Sequence, residues 1–159
     1  MSTLRQRWEE LVVRVYSRTP ERPRRAVLRA VTPGWRVGVL VVLRRPDGRV
    51  LLVDQPYTEG WSLPGGDLKR GEDLAAGAAR ELREELGIDL VVPTPVLAAA
   101  RQHDRWVTFV VDLDVSDEVA DRAGAVSAEL VAVEWFDADH LPLLHGDTVA
   151  PLRLVGLVV

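Results

Sequence analysis

Cysteine is absent from this 159-residue chain, which excludes disulfides, thiolate nucleophiles and cysteine-based zinc sites. Histidine is scarce, and the three residues His103, His140 and His145 lack close ligand spacing, so no zinc site is expected from them either. No apolar run approaches the roughly eighteen residues needed to cross a bilayer. The opening MSTLRQRWEE places charge where a secretory signal would need an apolar stretch, so no leader is expected. Repeats and low-complexity tracts are also missing. What is present is ordinary for a folded domain: 47% hydrophobic and 28% charged residues, in a length suited to one core and too short for two. The expectation is a soluble, intracellular, cytoplasmic protein.

The formal net charge of −4 hides an asymmetry. Residues 1–31 hold eight Arg against three Glu, an excess of five positive charges, which leaves −9 on the remainder. Leu4, Trp8, Leu11, Val12 and Val15 recur at helical spacing between polar residues and predict an amphipathic helix. Pro20 and Pro23 interrupt it, and Arg24 to Val31 can form a second short helix. Residues 1–33 are thus expected to be a basic amphipathic helical arm, and 34–159 the main domain. The arm's apolar stripe needs a docking surface: the domain body, a second subunit in a homodimer, or a membrane, in that order. A basic arm also suits nucleic acid or anionic lipid, although a solvated helix face explains the same charges.

Beyond the Thr32-Pro33-Gly34 turn, Trp35 to Leu43 is Val-rich and bounded by breakers, as a buried strand would be. Arg45-Pro46-Asp47-Gly48 is a turn from which Val50 to Val53 can pair back as a hairpin. Gln55 to Gly60 reads as a loop, and Leu63-Pro64-Gly65-Gly66 as a second one, unable to continue helix or strand. A helix is predicted over about Glu72 to Leu86, stopped by Gly87. Strand-like stretches follow at Val96–Ala100, Trp106–Val115 and Leu130–Phe136, with a polar loop from Asp117 to Ser127. Asp137 to Leu141 reads as a short turn, and Asp147 can cap a last helix over residues 148–156. This order of elements implies an α/β fold, with a mixed sheet between helices.

The Glu72–Leu86 helix breaks a local rule. Leu74, Ala75, Ala78, Ala79, Leu82 and Leu86 share one side and can pack on the sheet. Glu81, Glu84 and Glu85 cluster on the neighbouring side. Glu81 and Glu85 are like charges at i, i+4, which disfavours the helix by a few tenths of a kcal/mol, and acids near a helix C-terminus oppose its dipole. Such crowding calls for a neutralising cation, and Mg²⁺ prefers oxygen ligands. Sites that violate local rules are where function is expected. On the helix alone, a solvated acidic face with Arg80 and Arg83 as counter-ions accounts for the same residues.

The wider spacing tips the balance. Gly66 to Ile88 fits G-x5-E-x7-R-E-U-x-E-E-x-G-U, where U is aliphatic and is filled by Leu82 and Ile88. At an average usage of about one in fifteen, its seven fixed identities arise by chance at roughly 10⁻⁸ per start. This pattern resembles the Nudix box, without departure over its 23 residues. The likeness extends more loosely over about residues 35–142. It includes the Trp61-Ser62-Leu63-Pro64-Gly65-Gly66 lead-in and Trp135-Phe136-Asp137-Ala138-Asp139-His140-Leu141-Pro142, and it leaves the first thirty-odd residues outside.

The resemblance implies a Nudix-type α/β/α sandwich with a loop–helix–loop site, acting on a nucleotide-like diphosphate with Mg²⁺, or Mn²⁺ in its place. Glu81, Glu84, Glu85 and the Gly65 carbonyl would hold the ion. Glu72 would pair with Arg80 and fix the helix entrance, Gly66 would let the backbone approach, and Arg83 would be solvated. The general base would be Glu81 or an acid on another loop, for which Glu129 is the candidate and also an additional ligand; a plain loop acid is the alternative for Glu129. Tyr57, Trp61 and Trp106 are candidates to stack on the substrate, with packing the alternative for Trp61. His103 and Asp104 are expected to be structural or solvated.

Without cysteine, the zinc-containing NADH-cleaving members and the isomerase relatives with a catalytic cysteine do not fit. ADP-ribose and dinucleoside-polyphosphate members tend to carry Pro or Tyr about sixteen residues beyond the box, where Asp104, Arg105 and Trp106 stand here. Nucleoside triphosphates and nucleotide sugars remain level. Two other classes compete: a nucleotide-binding regulator that has lost the chemistry, against which the intact box argues, and a membrane- or nucleic-acid-associated protein acting through its arm.

Overall fold

The computed structural model describes residues 34–93, 98–103 and 105–157, with the backbone alone at 98–103. The arm, the Thr32-Pro33 start of the first turn, the Val96-Leu97 start of the predicted strand and Asp104 lie outside the described residues. Strand β1 (Arg36–Arg44) turns through Arg45–Gly48 into β2 (Arg49–Asp54), which pairs back antiparallel. The turn closes with Gly48 N–H donating to the Arg45 carbonyl at 2.9 Å. Then come β3 (Gly65–Asp67), helix α1 (Leu74–Leu86), β4 (Ala98–His103), β5 (Trp106–Asp114), helix α2 (Asp117–Ala120), β6 (Ala132–Asp137) and helix α3 (Gly146–Leu154).

The strands form one six-stranded mixed sheet in the order β4-β5-β1-β2-β6, with β3 joined to β1. β1 and β5 run parallel, while the remaining pairs are antiparallel. Side chains alternate across the pleat, so odd and even residues of β1 and β2 feed different cores. Val39, Val41, Leu43, Leu51 and Val53 pack with Ala78, Leu82 and Leu86 of α1. Val42, Val50 and Leu52 pack with Leu63, Val110 and Leu152 of α3. Both faces being covered, the strands read as near-continuous Val/Leu runs. No helix among the described residues is long and apolar enough to cross a membrane.

Four local expectations are corrected. Gly65-Gly66-Asp67 is not a free loop: it pairs antiparallel with Gly38–Leu40. The residues that disfavour a strand locally are those that permit this pairing. Gly65 has φ 144, and a Cβ there would lie 2.1 Å from the Val39 carbonyl oxygen, so only glycine fits against β1. α1 begins at Leu74, which leaves Glu72 ahead of it, and Asp73 is the cap, its Oδ1 accepting the Ala76 N–H at 2.8 Å. The polar Asp117–Ser127 stretch opens with α2, capped by Ser116. α3 begins at Gly146, capped by His145 through Nδ1 and not by Asp147, which lies in its first turn.

Replacing Asp73 by Ala removes the α1 cap and is expected to cost about 1 kcal/mol. The measurement is a urea unfolding curve, with a lower midpoint at constant slope. An unmoved midpoint would mean that contacts further along hold the helix start.

Candidate active site

Strand β3 and helix α1 meet through the backbone of the first and the carboxylates of the second. The Gly65 N–H donates to Glu85 Oε2 at 2.9 Å. Glu81 lies against the next residue: a Cβ on Gly66 would meet Glu81 Oε1 at 2.6 Å. β3 therefore presents its backbone to two carboxylates one turn apart on α1, and two glycines in succession make that approach possible.

Arg80 is the hub of the cluster, with its side chain only 10% exposed. Its Nε and Nη2 donate to both Glu72 oxygens at 2.8 and 2.9 Å, the bidentate fork that guanidinium geometry suits. Nη1 reaches Glu81 Oε1 at 2.6 Å and Glu84 Oε2 at 3.2 Å, while Nη2 also donates to the Asp67 carbonyl at 3.0 Å. Lys69 contributes its N–H to Glu72 Oε2 at 2.8 Å and its Nζ to Glu84 Oε1 at 3.4 Å. The predicted Glu72–Arg80 pair is present. Lys69 and Asp67 were not legible, because both stand at variable positions of the box and are singled out only by contacts.

The electrostatics divide the carboxylates. Hydrogen bonds from Arg80 and the Lys69 N–H pull Glu72 down to about 2. For Glu84, partial desolvation is outweighed by Arg80 and Lys69, which hold it below its ordinary value. Glu81 is raised, because burial outweighs its Arg80 partner. Glu85 is pushed up to about 7, first by burial and then by the charges of Glu81, Glu129 and Glu84, against the Gly65 N–H that favours its ionised form. Arg80 is held above its usual value, chiefly by Glu72.

Among the described residues no three acidic or imidazole side chains converge as a ready-made metal cage. Arg80 draws Glu81 and Glu84 to itself while Gly65 holds Glu85. The donor set nevertheless fits a hard divalent ion: all side-chain donors are carboxylate oxygens, with Glu72, Glu81 and Glu84 around Arg80 and Lys69, and Glu85 on the glycine backbone.

The other candidate residues are spread out. Tyr57 is exposed, and its phenol is raised first by partial burial and then by the charges of Glu129 and Glu85. Trp61 packs edge-on against Phe136 at 4.8 Å within the α3-side core. Trp106 lies at the start of β5 with the Arg36 guanidinium 4.4 Å over its ring, and Arg36 is ion-paired with Asp67. Arg83 is exposed, its nearest acid Asp89 being 3.8 Å away.

A buried Arg–Glu clamp beside a glycine-lined strand and an acid-bearing helix is the arrangement that the Nudix-box resemblance implies, and the family comparison agrees over most of the chain. The NUDIX domain model matches residues 34–154. The chain belongs to the Nudix family. It is 31% identical over 137 residues to nucleoside diphosphate-linked moiety X motif 6 of Xenopus laevis, covering 80% of this chain and 63% of that protein. It is 45% identical over 82 residues to an RNA pyrophosphohydrolase of Caulobacter vibrioides, covering 48% of this chain and 43% of that one. The chain thus spans less than two thirds of these curated relatives. The crystal structure of a MutT NUDIX hydrolase from Burkholderia pseudomallei superposes with a TM-score of 0.65 at 29% identity, covering 77% of this chain and 99% of that one. Nudix hydrolases generally use a divalent metal ion.

Proposed function

We propose that this chain hydrolyses a diphosphate linkage in a nucleoside diphosphate derivative or nucleoside triphosphate, with Mg²⁺ as its cation and Mn²⁺ able to substitute. The observation that carries this reading is the Gly65 N–H to Glu85 bond, at 2.9 Å, which ties β3 to α1 at an unbroken Nudix box. Glu81, Glu84, Glu85 and the Gly65 carbonyl would hold the ion. Bound there, it would neutralise phosphate charge and lower the pKa of water.

The remaining work belongs to the chain. Arg80 and Glu72 fix the start of α1 against β3 and so set where the carboxylates point. A carboxylate removes the proton from the attacking water; Glu129 on its separate loop is the candidate, with Glu81 the alternative. Of the three aromatic candidates, Tyr57 is the most exposed and so the freest to stack on a substrate. Trp61 supports the core beneath it.

The test is a hydrolysis screen of nucleoside triphosphates and nucleotide sugars with Mg²⁺ and Mn²⁺, reading whether phosphate, pyrophosphate or a mononucleotide is released. Metal-stimulated release from at least one class is expected; none from any would overturn the reading. For the base, Glu129→Gln is expected to lose on the order of 10²-fold in kcat/KM and to alter the acid limb of the pH–rate profile. An unchanged rate and profile would transfer the role to Glu81.

A further inference from the structure

Two cations touch the carboxylate cluster, and they are held very differently. Arg80, with its side chain only 10% exposed, commits its guanidinium to both Glu72 oxygens, Glu81, Glu84 and the Asp67 carbonyl. Its departure would strip a buried network of its centre, so Arg80 is fixed. Lys69 meets the cluster at one point, Nζ to Glu84 Oε1 at 3.4 Å, and its side chain is 64% exposed. Its backbone, by contrast, is pinned. The Lys69 N–H donates to Glu72 Oε2 at 2.8 Å, and the Lys69 carbonyl accepts the Glu72 N–H at 3.0 Å. An anchored root thus carries an ammonium on a flexible four-carbon stem.

Glu84 is engaged at both oxygens, Oε2 by Arg80 Nη1 at 3.2 Å and Oε1 by Lys69. Its side chain is half exposed, whereas Glu81 and Glu85 are buried. A long, exposed ion pair shifts an equilibrium by no more than about fivefold, so the Lys69 contact is the one most readily exchanged. A hard divalent ion that takes carboxylate oxygens must compete with Lys69 for Glu84 Oε1. Oxygens that share one small cation lie side by side. Phosphate oxygens on the same ion would therefore stand next to Glu84, within the sweep of an ammonium that already reaches it.

Resting on the hydrolase reading above, we infer that Lys69 alternates between two anions, pairing with Glu84 in the ion-free protein and with a substrate phosphate once Glu84 has taken the cation. Lys69 thereby weakens cation binding to the free protein and strengthens polyphosphate binding to the loaded one. Both effects come from one positive charge at one place. The adjacent Arg70 carries the same charge, is exposed, and pairs with no acid among the described residues. It is the control for net charge alone.

The test needs no turnover. Mn²⁺ is titrated into wild type, Lys69→Gln, Lys69→Arg and Arg70→Gln at low, fixed ionic strength, with free ion read by electron spin resonance. Lys69→Gln is expected to bind Mn²⁺ about three- to fivefold more tightly than wild type, and Lys69→Arg to stay close to wild type. Inorganic triphosphate is then titrated calorimetrically in saturating Mg²⁺. It should bind Lys69→Gln about fivefold more weakly, with Arg70→Gln matching wild type in both titrations. An unchanged Mn²⁺ affinity in Lys69→Gln, an unchanged triphosphate affinity, or equal shifts in Arg70→Gln overturns the inference and leaves the hydrolase reading standing. A wild type that binds no divalent cation overturns both.

Discussion

Glu85→Gln is expected to lower metal-dependent kcat/KM by on the order of 10²- to 10⁴-fold while leaving the fold intact. The substitution is close to isosteric, and Gln keeps an oxygen to accept the Gly65 N–H that Glu85 now accepts at 2.9 Å. A purely structural Glu85 would therefore survive it. What disappears is a negative charge on a residue only 6% exposed, already disfavoured by burial and by neighbouring acids. Removing that charge should not destabilise the metal-free protein. It should abolish most of the rise in thermal midpoint that Mg²⁺ gives the wild type, since ligand binding to the folded state alone stabilises it. Glu81→Gln should act in the same direction, with its Oε1 contact to Arg80 kept by the amide oxygen. Near-normal hydrolysis by either variant would remove that residue from the centre.

Arg80→Ala is expected to cost about 3–5 kcal/mol of stability, the effect of removing one partner from a buried ionic network. The guanidinium touches Glu72, Glu81, Glu84 and the Asp67 carbonyl, so its loss leaves carboxylates facing one another, with Lys69 reaching Glu84 alone among them. Arg80→Lys keeps the charge but not the fork, and should fall between. Urea unfolding at neutral pH measures both, and an Arg80→Ala variant within about 1 kcal/mol of wild type would show that the network adds little. Acid titration gives a second reading. Glu72 is held at about 2 in the folded state against an ordinary 4.5, so its contribution is complete above 4.5 and is lost as pH falls toward 2. Arg80→Ala should flatten stability across that window.

Much of this site was legible because it is written in local spacing. The 100° step of a helix places Glu81, Glu84 and Glu85 near one another whatever lies around them, and α1 duly buries Ala78, Leu82 and Leu86 on the adjoining side. Gly87 ends the helix in the left-handed region with φ 69, as its position suggested. The hairpin through Arg45–Gly48 and the alternation along β1 and β2 were likewise readable from breakers and apolar runs. Gly65–Asp67 was not, because local propensity says nothing of a partner strand at Gly38–Leu40. Nor did periodicity show that His145, rather than Asp147, caps α3, since that choice depends on where the chain enters the helix.

The sequence by itself determined which residues share the acidic helix, where that helix ends, and to which family the pattern belongs, because those follow from short-range geometry along one chain segment. Only the tertiary structure decided that Arg80 gathers Glu81 and Glu84 while Gly65 takes Glu85, that Trp61 serves the core, and that Lys69 reaches Glu84. Those facts depend on which distant backbone and side chains crowd each charge, and burial and close approach are properties of the packed molecule.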